Sequence, residues 1–315
     1  MVEFTGEVAA FRTLNKIILA TIELNKYGFY EVLNKPSAAE LETYYSQKYY
    51  QNTQGTYEKT YADHELQYIY NKIAQKQLVL EKNFQVSTTP HSLLDVGSGE
   101  GWVLNFYKQR DWQVTGLDFS RYGCETFNPN CLENLLTGNI YENIQKLISQ
   151  KVKFTVIWLD NVLEHVVNPR QLLQSCRELV AEDGALVVEV PNDFSVLQQY
   201  LKETGAIDSD FWVALPDHLS YFNKTGLLNL ATASNWDEVF TMADFPIDFA
   251  LVNPDTNYVK ERSKGKECNQ TRIKIDNLMH AVSVEKTVEY YRALADLGMG
   301  RQIISFFKPH HHAGN

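Results

Sequence analysis

Cysteine is scarce in this chain of 315 residues, which contains four cysteines. No two of them have the C-x-x-C spacing that is typical of zinc knuckles and of dithiol redox pairs. We therefore expect neither kind of site, and the thiols should be reduced. The linear sequence also shows no cluster of carboxylates and histidines at metal-ligand spacing, so it predicts no metal site. The four cysteines are Cys124, Cys131, Cys176 and Cys268.

Basic residues are also fewer than acidic residues. The chain has 29 Lys and Arg against 39 Asp and Glu, which gives a formal net charge of −10 at pH 7. Proteins that bind the phosphate backbone depend on clustered basic residues, and no basic run of the needed length occurs here. We therefore expect no nucleic-acid partner.

Long hydrophobic runs are missing as well. No uninterrupted apolar stretch reaches the roughly eighteen residues that a membrane-spanning helix requires. Glu3 and Glu7 give the N-terminus the wrong charge for a signal peptide. The sequence thus predicts a soluble, cytoplasmic protein. Its 44% of hydrophobic and 12% of aromatic residues are enough for a sizeable folded core.

The most informative stretch is Ser92 to Tyr107, which reads SLLDVGSGEGWVLNFY. The apolar run Leu93 to Val96 is typical of a buried parallel strand, and apolar residues at helical spacing follow the glycines. The glycines permit a tight turn and a close approach of a ligand to the backbone. A dinucleotide-binding fingerprint, G-x-G-x-x-G, would need a further glycine where this chain has Trp102, which disfavours an NAD-dependent oxidoreductase. The three glycines are Gly97, Gly99 and Gly101.

The segment D-V-G-S-G-E-G, residues 95–101, resembles motif I of the class I methyltransferases that depend on S-adenosylmethionine (SAM). This resemblance implies a doubly wound α/β sheet that binds SAM across the ends of its first strands. A second feature agrees with it. Val114 to Leu117 reads as the next strand and ends at Asp118, about where an acidic residue meets the ribose hydroxyls.

Strands and helices alternate from Leu93 to Val190, which is typical of the α/β class. We predict a Rossmann-like, mainly parallel sheet of seven strands, the last of them antiparallel. Beyond the first two strands, the remaining ones are predicted at Leu135 to Ile140, Phe154 to Leu159, Ala185 to Val190, Phe240 to Phe245 and Ile303 to Phe307.

Around this core we expect additional segments. Ile17, Ile18, Thr21 and Leu24 predict a helical face near the N-terminus. The tyrosine-rich stretch Tyr44 to Tyr61 is either a lid over the cofactor and acceptor or ordinary aromatic packing. The predicted division is an N-terminal helical cap (1–88), a SAM-binding core (89–245), a helical insertion on the acceptor side (246–300), a last core strand (301–308) and a disordered tail (309–315).

The resemblance also implies which residues bind the cofactor. Asp118 would accept the ribose hydroxyls, with Phe119 against the adenine. Asn139 stands where the family often has an acidic residue, and its amide can still bond to the adenine. The full set carried over by the motifs is Asp95, Gly97, Ser98, Gly99, Gly101, Asp118, Phe119, Asn139, Ile140, Asp160 and Asn161.

Two histidines are candidates for a general base. His165 follows the fourth predicted strand of the core, and His218 lies in PDHLSYF, which resembles the substrate-side loop of glycan-associated methyltransferases. An ordinary histidine pKa near 6.5 makes either ring usable at neutral pH. A structural role for His165, orienting the loop near the cofactor, is the alternative.

The acceptor is indicated only by the outer segments. Residues 28–50, GFYEVLNKPSAAELETYYSQKYY, and parts of the C-terminal region resemble bacterial methyltransferases of surface-polysaccharide and nucleotide-sugar pathways. That implies a sugar hydroxyl, on a nucleotide sugar or a glycan, as the acceptor. Trp212, Tyr221 and Phe222 would suit stacking on a sugar or packing in the core. A small-molecule N- or C-methyltransferase and a non-catalytic SAM-binding protein share the same cofactor residues and remain alternatives.

The first prediction concerns the cofactor. The protein should bind S-adenosylhomocysteine (SAH) in the micromolar range, and Asp118→Ala should weaken binding about tenfold or more, because hydrogen bonds to a carboxylate are lost. Titration calorimetry measures both affinities. Absence of binding by a folded protein would count against the core interpretation and would redirect the search to NAD.

Overall fold

The computed structural model describes residues 22–37, 40–41, 60–85 and 91–311. Its strands form a central seven-stranded sheet and a small three-stranded sheet. In chain order the strands are β1 (Ile22–Leu24), β2 (Tyr30–Val32), β3 (Ser92–Val96), β4 (Gln113–Asp118), β5 (Leu135–Thr137), β6 (Phe154–Asp160), β7 (Val180–Pro191), β8 (Ser220–Tyr221), β9 (Trp236–Ala243) and β10 (Gln302–Pro309).

Helices cover the central sheet and fill the segments between its strands. Short 3-10 turns at Ile247–Val252, Pro254–Thr256 and Arg262–Lys264 lead from β9 into the last two helices. None of the helices in the described ranges is long and apolar enough to cross a membrane. The α-helices are α1 (Asp63–Asn83), α2 (Trp102–Lys108), α3 (Tyr122–Phe127), α4 (Ile140–Ser149), α5 (Pro169–Leu179), α6 (Val196–Glu203), α7 (Lys224–Thr232), α8 (Gly265–Val282) and α9 (Val284–Asp296).

The strand order of the central sheet is β5-β4-β3-β6-β7-β10-β9. The neighbouring pairs among β3 to β7 are parallel, whereas β10 runs antiparallel to both β7 and β9. The predicted seven-stranded, mainly parallel α/β sheet is therefore confirmed. Parallel strands bring their carboxyl ends to one edge, so the residues after β3, β4, β6 and β7 all lie along that edge.

The central strands are rich in buried hydrophobic residues because both faces of the sheet are covered. In β6, every residue from Phe154 to Leu159 is buried, and all of them except Thr155 are hydrophobic. Helix α5 follows on the next crossover. Asn168 caps it by accepting a hydrogen bond from Gln171 N, and Pro169 occupies the first helical position.

Two local expectations differ from the structure. The third strand of the core ends at Thr137, and Ile140 begins helix α4, because Asn139 Oδ1 accepts hydrogen bonds from Tyr141 N and Glu142 N and caps the helix. Pro309, expected in the tail, is the last residue of β10. Residues 312–315 lie outside the described ranges.

The N-terminal region contains strand as well as helix. β1 and β2 form a hairpin, and β2 pairs with β8, so the helix expected at Leu24 is wrong. The third strand of this small sheet, β8, comes from much later in the chain. The local sequence around β1 and β2 therefore gives little indication that they are strands. The remaining residues of that predicted helical face, and the tyrosines from Tyr44 to Tyr57, lie outside the described ranges.

Helix α1 is held against the strand ends by buried charges. Lys76 Nζ lies 2.5 Å from Asp160 Oδ2 and 2.5 Å from Glu189 Oε2, and Lys72 Nζ lies 2.9 Å from Glu189 Oε1. Burial alone would raise the pKa of Glu189, but the charges of Lys72 and Lys76 outweigh it and lower that pKa to about 2. Glu189 is therefore a carboxylate at neutral pH.

The second prediction concerns this ion network. Lys76→Ala should lower the free energy of unfolding by about 3–5 kcal/mol, because Asp160 and Glu189 lose a buried counter-charge. The matched control is Lys82→Ala on the same helix, where an exposed lysine lies 4.0 Å from Glu285; it should change stability by less than about 1 kcal/mol. Urea denaturation of both variants measures the difference. Equal effects would show that burial of Lys76 contributes nothing.

Candidate active site

The turn after β3 is held by glycines that no other residue would replace without strain. Gly97, Gly99 and Gly101 all have positive φ, at +77°, +51° and +79°. A Cβ on Gly97 would lie 2.5 Å from Val162 Cγ2, so the loop after β6 packs directly on the glycine turn. Gly97 N donates a hydrogen bond to Leu117 O at 2.7 Å, which fixes the turn to β4.

Gly99 is the open position of the turn. A Cβ there would meet no atom within 4 Å, which leaves space for a ligand next to the backbone. Gly99 N donates to Asp118 Oδ2 at 2.8 Å. The neighbouring Ser98 is buried, and its hydroxyl donates to Asp95 O at 2.9 Å, so this side chain supports the turn from inside.

Asp118 is nearly buried at the carboxyl end of β4. It accepts hydrogen bonds from Gly99 N and Ser120 N, and burial raises its pKa against the effect of those bonds. A carboxylate offers about four acceptor sites, so capacity remains for the two hydroxyls of a ribose. Open space at Gly99 beside this carboxylate fits the ribosyl group of SAM.

A second carboxylate lies next to the turn. Asp95 is buried in β3, and within the described ranges no side chain or backbone N–H donates to its carboxylate. Its pKa is raised well above the usual value by burial and by the nearby charges of Asp160 and Asp118. Acidic groups on three neighbouring strands also fit the positively charged sulfonium of SAM.

Trp102 occupies the position of the missing third glycine. Its indole nitrogen donates to Glu100 at 2.6 Å, and its ring meets Tyr61 and Phe127 at centroid distances of 5.8 and 5.9 Å. Tyr61 also donates to Glu100, at 2.7 Å. The indole thus lies in an aromatic cluster beside α2, in agreement with a motif that does not require a glycine here.

The remaining expected cofactor residues follow the turn in chain order. Phe119 is half-buried directly after Asp118, and Ile140 is half-buried at the start of α4. The side-chain oxygen of Asn139 caps α4, which leaves its amide nitrogen to contact a ligand. Burial raises the pKa of Asp160, with Lys76 acting in the opposite direction.

Asn161 begins the loop that carries His165. Its φ of +53° is in the left-handed region, which asparagine tolerates better than most residues. Asn161 N donates to Glu189 O at 2.9 Å, which anchors the loop to the end of β7. His165 N donates to Val162 O at 3.1 Å, so His165 lies one turn from the residue that contacts Gly97.

The structure brings the two candidate histidines together. The rings of His165 and His218 lie 4.8 Å apart between centroids and are nearly perpendicular, at 83°. His165 Nδ1 lies 2.7 Å from the carbonyl oxygen of Asp217. A carbonyl oxygen can only accept, so Nδ1 carries the proton in this contact.

Glu164 completes this group, and sequence reasoning missed it. Its backbone oxygen accepts hydrogen bonds from Leu219 N and Ser220 N, at 2.8 and 3.1 Å, and so docks the segment that carries His218. Its side chain is 1% exposed, and Oε1 lies 3.8 Å from His165 Nε2. Burial raises the pKa of Glu164 well above its usual value, and nearby carboxylates add to the shift.

Glu164, His165 and His218 each offer a potential ligand atom, and these atoms lie within 4.8 Å of one another. The linear sequence predicts no carboxylate–histidine cluster, whereas the folded chain brings these three side chains together. The adjacent pair Glu164–His165 was visible in the sequence, but only the folded loop brings His218 to it. We call these three side chains the EHH cluster.

The aromatic residues proposed for sugar stacking lie in the core. Trp212, Tyr221 and Phe222 are 2% exposed or less. Tyr221 donates its hydroxyl to His218 O at 3.0 Å and thus supports the EHH cluster from behind. Trp212 and Tyr221 pack in one hydrophobic cluster and Phe222 in another, so these rings offer no exposed platform.

Comparison with known proteins agrees with this geometry. Residues 62–239 match the family described as "Methyltransferase domain". The ubiquinone biosynthesis O-methyltransferase of Glaesserella parasuis serovar 5 (strain SH0165) is 32% identical over 108 residues, which are 32% of this chain and 45% of that protein. The chain thus spans less than half of the length of this curated relative.

Two solved structures are similar to this chain at low sequence identity. The [4+2]-cyclase SpnF has a TM-score of 0.50 and 14% identity, over 88% of this chain and 98% of that one. A SAM-dependent methyltransferase from Archaeoglobus fulgidus has a TM-score of 0.48 and 16% identity, over 76% of this chain and 94% of that one.

The family match covers more than half of the chain. It includes the glycine turn, Asp118 and Asp160 at the ends of their strands, and the whole EHH cluster. The protein therefore belongs to the methyltransferase-domain family and carries a SAM-dependent methyltransferase domain.

Proposed function

We propose that the protein transfers a methyl group from SAM to a hydroxyl group of a small molecule. The observation that carries this proposal is the convergence of two imidazoles: His218 lies beside His165, and the loop of His165 packs against the glycine turn through Val162 and Gly97. A hydroxyl must lose its proton when its oxygen is methylated, and groups that assist this loss belong beside the methyl donor.

SAM supplies a methyl group on a sulfonium, and its transfer is an in-line displacement. The chain has to hold donor and acceptor in line, which alone can contribute several kcal/mol to the lowering of the barrier. We assign the donor to the glycine turn and the acceptor to the EHH cluster. An imidazole there that takes the hydroxyl proton would add about 10²–10⁴ in rate.

The cofactor residues implied by the motifs are part of this proposal. Asp118 accepts the ribose hydroxyls, and Gly99 gives the backbone room to approach them. Phe119 and Ile140 border the adenine, and Asn139 offers its amide nitrogen to it. The others assigned to the cofactor side are Asp95, Gly97, Ser98, Gly101, Asp160 and Asn161.

Two classes of acceptor have support. The outer segments of the sequence resemble methyltransferases of surface-polysaccharide and nucleotide-sugar pathways, which favours a sugar hydroxyl. The curated relatives are named ubiquinone biosynthesis O-methyltransferases, which favours an intermediate of ubiquinone biosynthesis as the second candidate. The burial of Trp212, Tyr221 and Phe222 removes stacking as an argument for the sugar.

Other reactions that use the same cofactor-binding residues are the alternatives to O-methylation. N- or C-methylation would need the same turn and the same acid at Asp118. A cyclase has a similar fold, so the fold alone does not imply methyl transfer. Methyl transfer by this chain has to be measured. Conversion of SAM to SAH in the presence of a hydroxyl acceptor, with the methyl group found on oxygen, separates these possibilities.

The third prediction tests the acceptor side. In a screen of nucleotide sugars and phenols with isotope-labelled SAM, His165→Gln and His218→Gln should each lower kcat by about 10²-fold or more. Both variants should bind SAH as the unchanged protein does. His280→Gln, on α8, is the matched control and should keep full turnover.

Two results would contradict the proposal. One is a methylated amine or carbon as the only product of the screen. The other is full turnover by the variant in which both His165 and His218 are replaced by glutamine.

A further inference from the structure

We propose that Asp193 and Arg301 bind a hydroxyl group of the acceptor other than the hydroxyl that is methylated. Asp193 lies shortly after β7, and Arg301 directly precedes β10, whose first residue pairs with the last residue of β7. Both side chains therefore lie at the edge where open α/β sheets bind their ligands. The inference rests on the proposed O-methylation, and it assigns the acceptor to the polyhydroxylated molecules, of which sugars are one class.

The two side chains carry complementary hydrogen-bonding groups without partners. Arg301 Nη1 donates to Asp193 Oδ1 at 3.1 Å. Within the described ranges, the other carboxylate oxygen, Asp193 Oδ2, is buried and receives no hydrogen bond. A guanidinium has five N–H donors, and no second oxygen of a described residue accepts from the Arg301 side chain. Buried polar atoms without a partner are rare in native proteins, so Oδ2 indicates a site for a donor group.

A hydroxyl group satisfies both side chains at once. Its hydrogen donates to Asp193 Oδ2, and its oxygen accepts from one of the remaining N–H groups of Arg301. A phosphate or carboxylate would accept from Arg301 but would be repelled by the negative charge of Asp193. An ammonium would pair with Asp193 but would be repelled by Arg301. The neutral hydroxyl avoids both repulsions.

A second negative charge near Arg301 adds to the case against an anion. Burial acts to lower the pKa of Arg301, but the charges of Asp248 and Asp193 outweigh it and raise that pKa. Tyr258 donates its hydroxyl to Asp248 Oδ1, which holds this carboxylate in place. An arginine alone often binds phosphate, but one positive and two negative charges leave no net positive charge to attract it.

Asp193 is also in contact with the segment that carries His218. Asp193 N donates to Phe222 O at 2.6 Å, and Phe222 directly follows β8. Burial raises the pKa of Glu164, and the charge of Asp193 adds to that shift, so the two carboxyl groups are near each other. An acceptor that presents one hydroxyl to the EHH cluster can therefore extend toward Asp193 with another.

The backbone next to Asp193 is strained. Phe194 has a φ of +52°, in the left-handed region that a bulky residue rarely adopts. Its ring packs against Tyr30 and Trp212, at centroid distances of 4.1 and 5.4 Å. Such strain persists where the surrounding structure fixes it, and it is frequent at ligand sites. The packing of this ring keeps the backbone beside Asp193 in one conformation.

Arg301 is the accessible member of the pair. Its side chain is 22% exposed, whereas that of Asp193 is 0% exposed. The half-buried ring of Phe211 lies 6.0 Å from the guanidinium carbon and forms an apolar wall beside it. An acceptor hydroxyl therefore meets Arg301 first. It reaches Asp193 Oδ2 after a rotation of the arginine side chain, which has several rotamers.

The fourth prediction uses acceptors that differ by one hydroxyl. The probes are the nucleotide sugars of the acceptor screen and counterparts in which one unreactive hydroxyl is replaced by hydrogen. Loss of the recognised hydroxyl should lower kcat/KM about tenfold to a hundredfold in the unchanged protein, because hydrogen bonds to charged groups are lost. In Asp193→Asn and in Arg301→Gln, the same loss should lower kcat/KM less than about threefold, since one charged partner is already missing.

Asp208→Asn and Arg262→Gln, which replace exposed side chains, are the matched controls and should keep the full discrimination. Affinity for SAH shows that each variant is folded. Arg301→Gln keeps the test valid if the fully buried Asp193→Asn does not fold. An equal loss of kcat/KM for a sugar and for its deoxy counterpart in a folded variant would show that the pair is structural, and it would overturn the proposal.

Binding measurements separate this inference from the proposed function. Calorimetry of the SAH complex with the same sugars reports hydroxyl recognition without methyl transfer. Sugar binding that requires Asp193 and Arg301, without methylation of any hydroxyl, would refute O-methylation and support the hydroxyl site. Efficient methylation of a phenol with a single hydroxyl, unchanged in Arg301→Gln, would refute the hydroxyl site and leave O-methylation intact.

Two further results would overturn the proposal. One is failure of the SAH complex to bind any of these sugars. The other is binding of inorganic phosphate that is lost in Arg301→Gln, because it would identify an anion site.

Discussion

The pairing of Lys76 with Asp160 and Glu189 connects the parts of this structure. Lys76 is buried on α1, a helix that precedes the sheet in the chain, yet its ammonium lies between the carboxyl ends of β6 and β7. Removing one member of such a pair leaves an uncompensated buried charge, so the helix and the strand ends depend on each other. Asp160 directly precedes Asn161, whose N–H is bound by Glu189 O, and the loop to His165 starts there. The helix is therefore as much a part of the candidate site as the strands are.

Charge is distributed unevenly along this edge of the sheet. Burial raises the pKa of several acids there, and Asp193 and Asp244 reach about 6 although Arg301 and Lys72 respectively act against the shift. Arg301 pairs with Asp193 at 3.1 Å. In the described ranges, the ion pairs of Lys72, Lys76 and Arg301 balance only part of the acidic groups of this edge. A positively charged ligand would offset the remaining negative charge, and the sulfonium of SAM carries positive charge. The buried acids that form no ion pair with a lysine or arginine in the described ranges include Asp95, Asp118 and Glu164.

The sequence predicted the core well because its signals are local. A strand, a glycine turn and a strand-ending acid lie within some thirty residues, and each follows from chain periodicity and backbone geometry alone. The glycines at positive φ and the carboxylate of Asp118 next to Gly99 lie as that pattern implies. The third strand was predicted too long because the apolar Ile140 belongs to a helix that Asn139 caps. At such a boundary, cap chemistry outweighs the continuity of an apolar run.

What could not be predicted depends on contacts between distant parts of the chain. The hairpin β1–β2 pairs with the short strand β8, which contains only Ser220 and Tyr221 and has no recognisable periodicity. The same docking brings His218 to Glu164, so the missed strand and the missed cluster have one cause. Linear spacing shows only the neighbours Glu164 and His165, and a metal or acid–base group built from two segments remains invisible until their backbone hydrogen bonds are known.

The cofactor side and the proposed acceptor side differ in the same way, because one depends on local sequence and the other on contacts between distant segments. The cofactor side is built from successive βα units, in which each turn is determined by its own residues, and such units are shared by proteins that catalyse unrelated reactions. The acceptor side that we propose is built from the loop after β6 and from the segment that ends in β8, which meet through tertiary contacts. A change in the second segment can therefore move His218 while the turn around Gly99 stays as it is. Specificity for the acceptor can vary among relatives of this chain without loss of the cofactor, and its determinants have to be sought where the two segments touch.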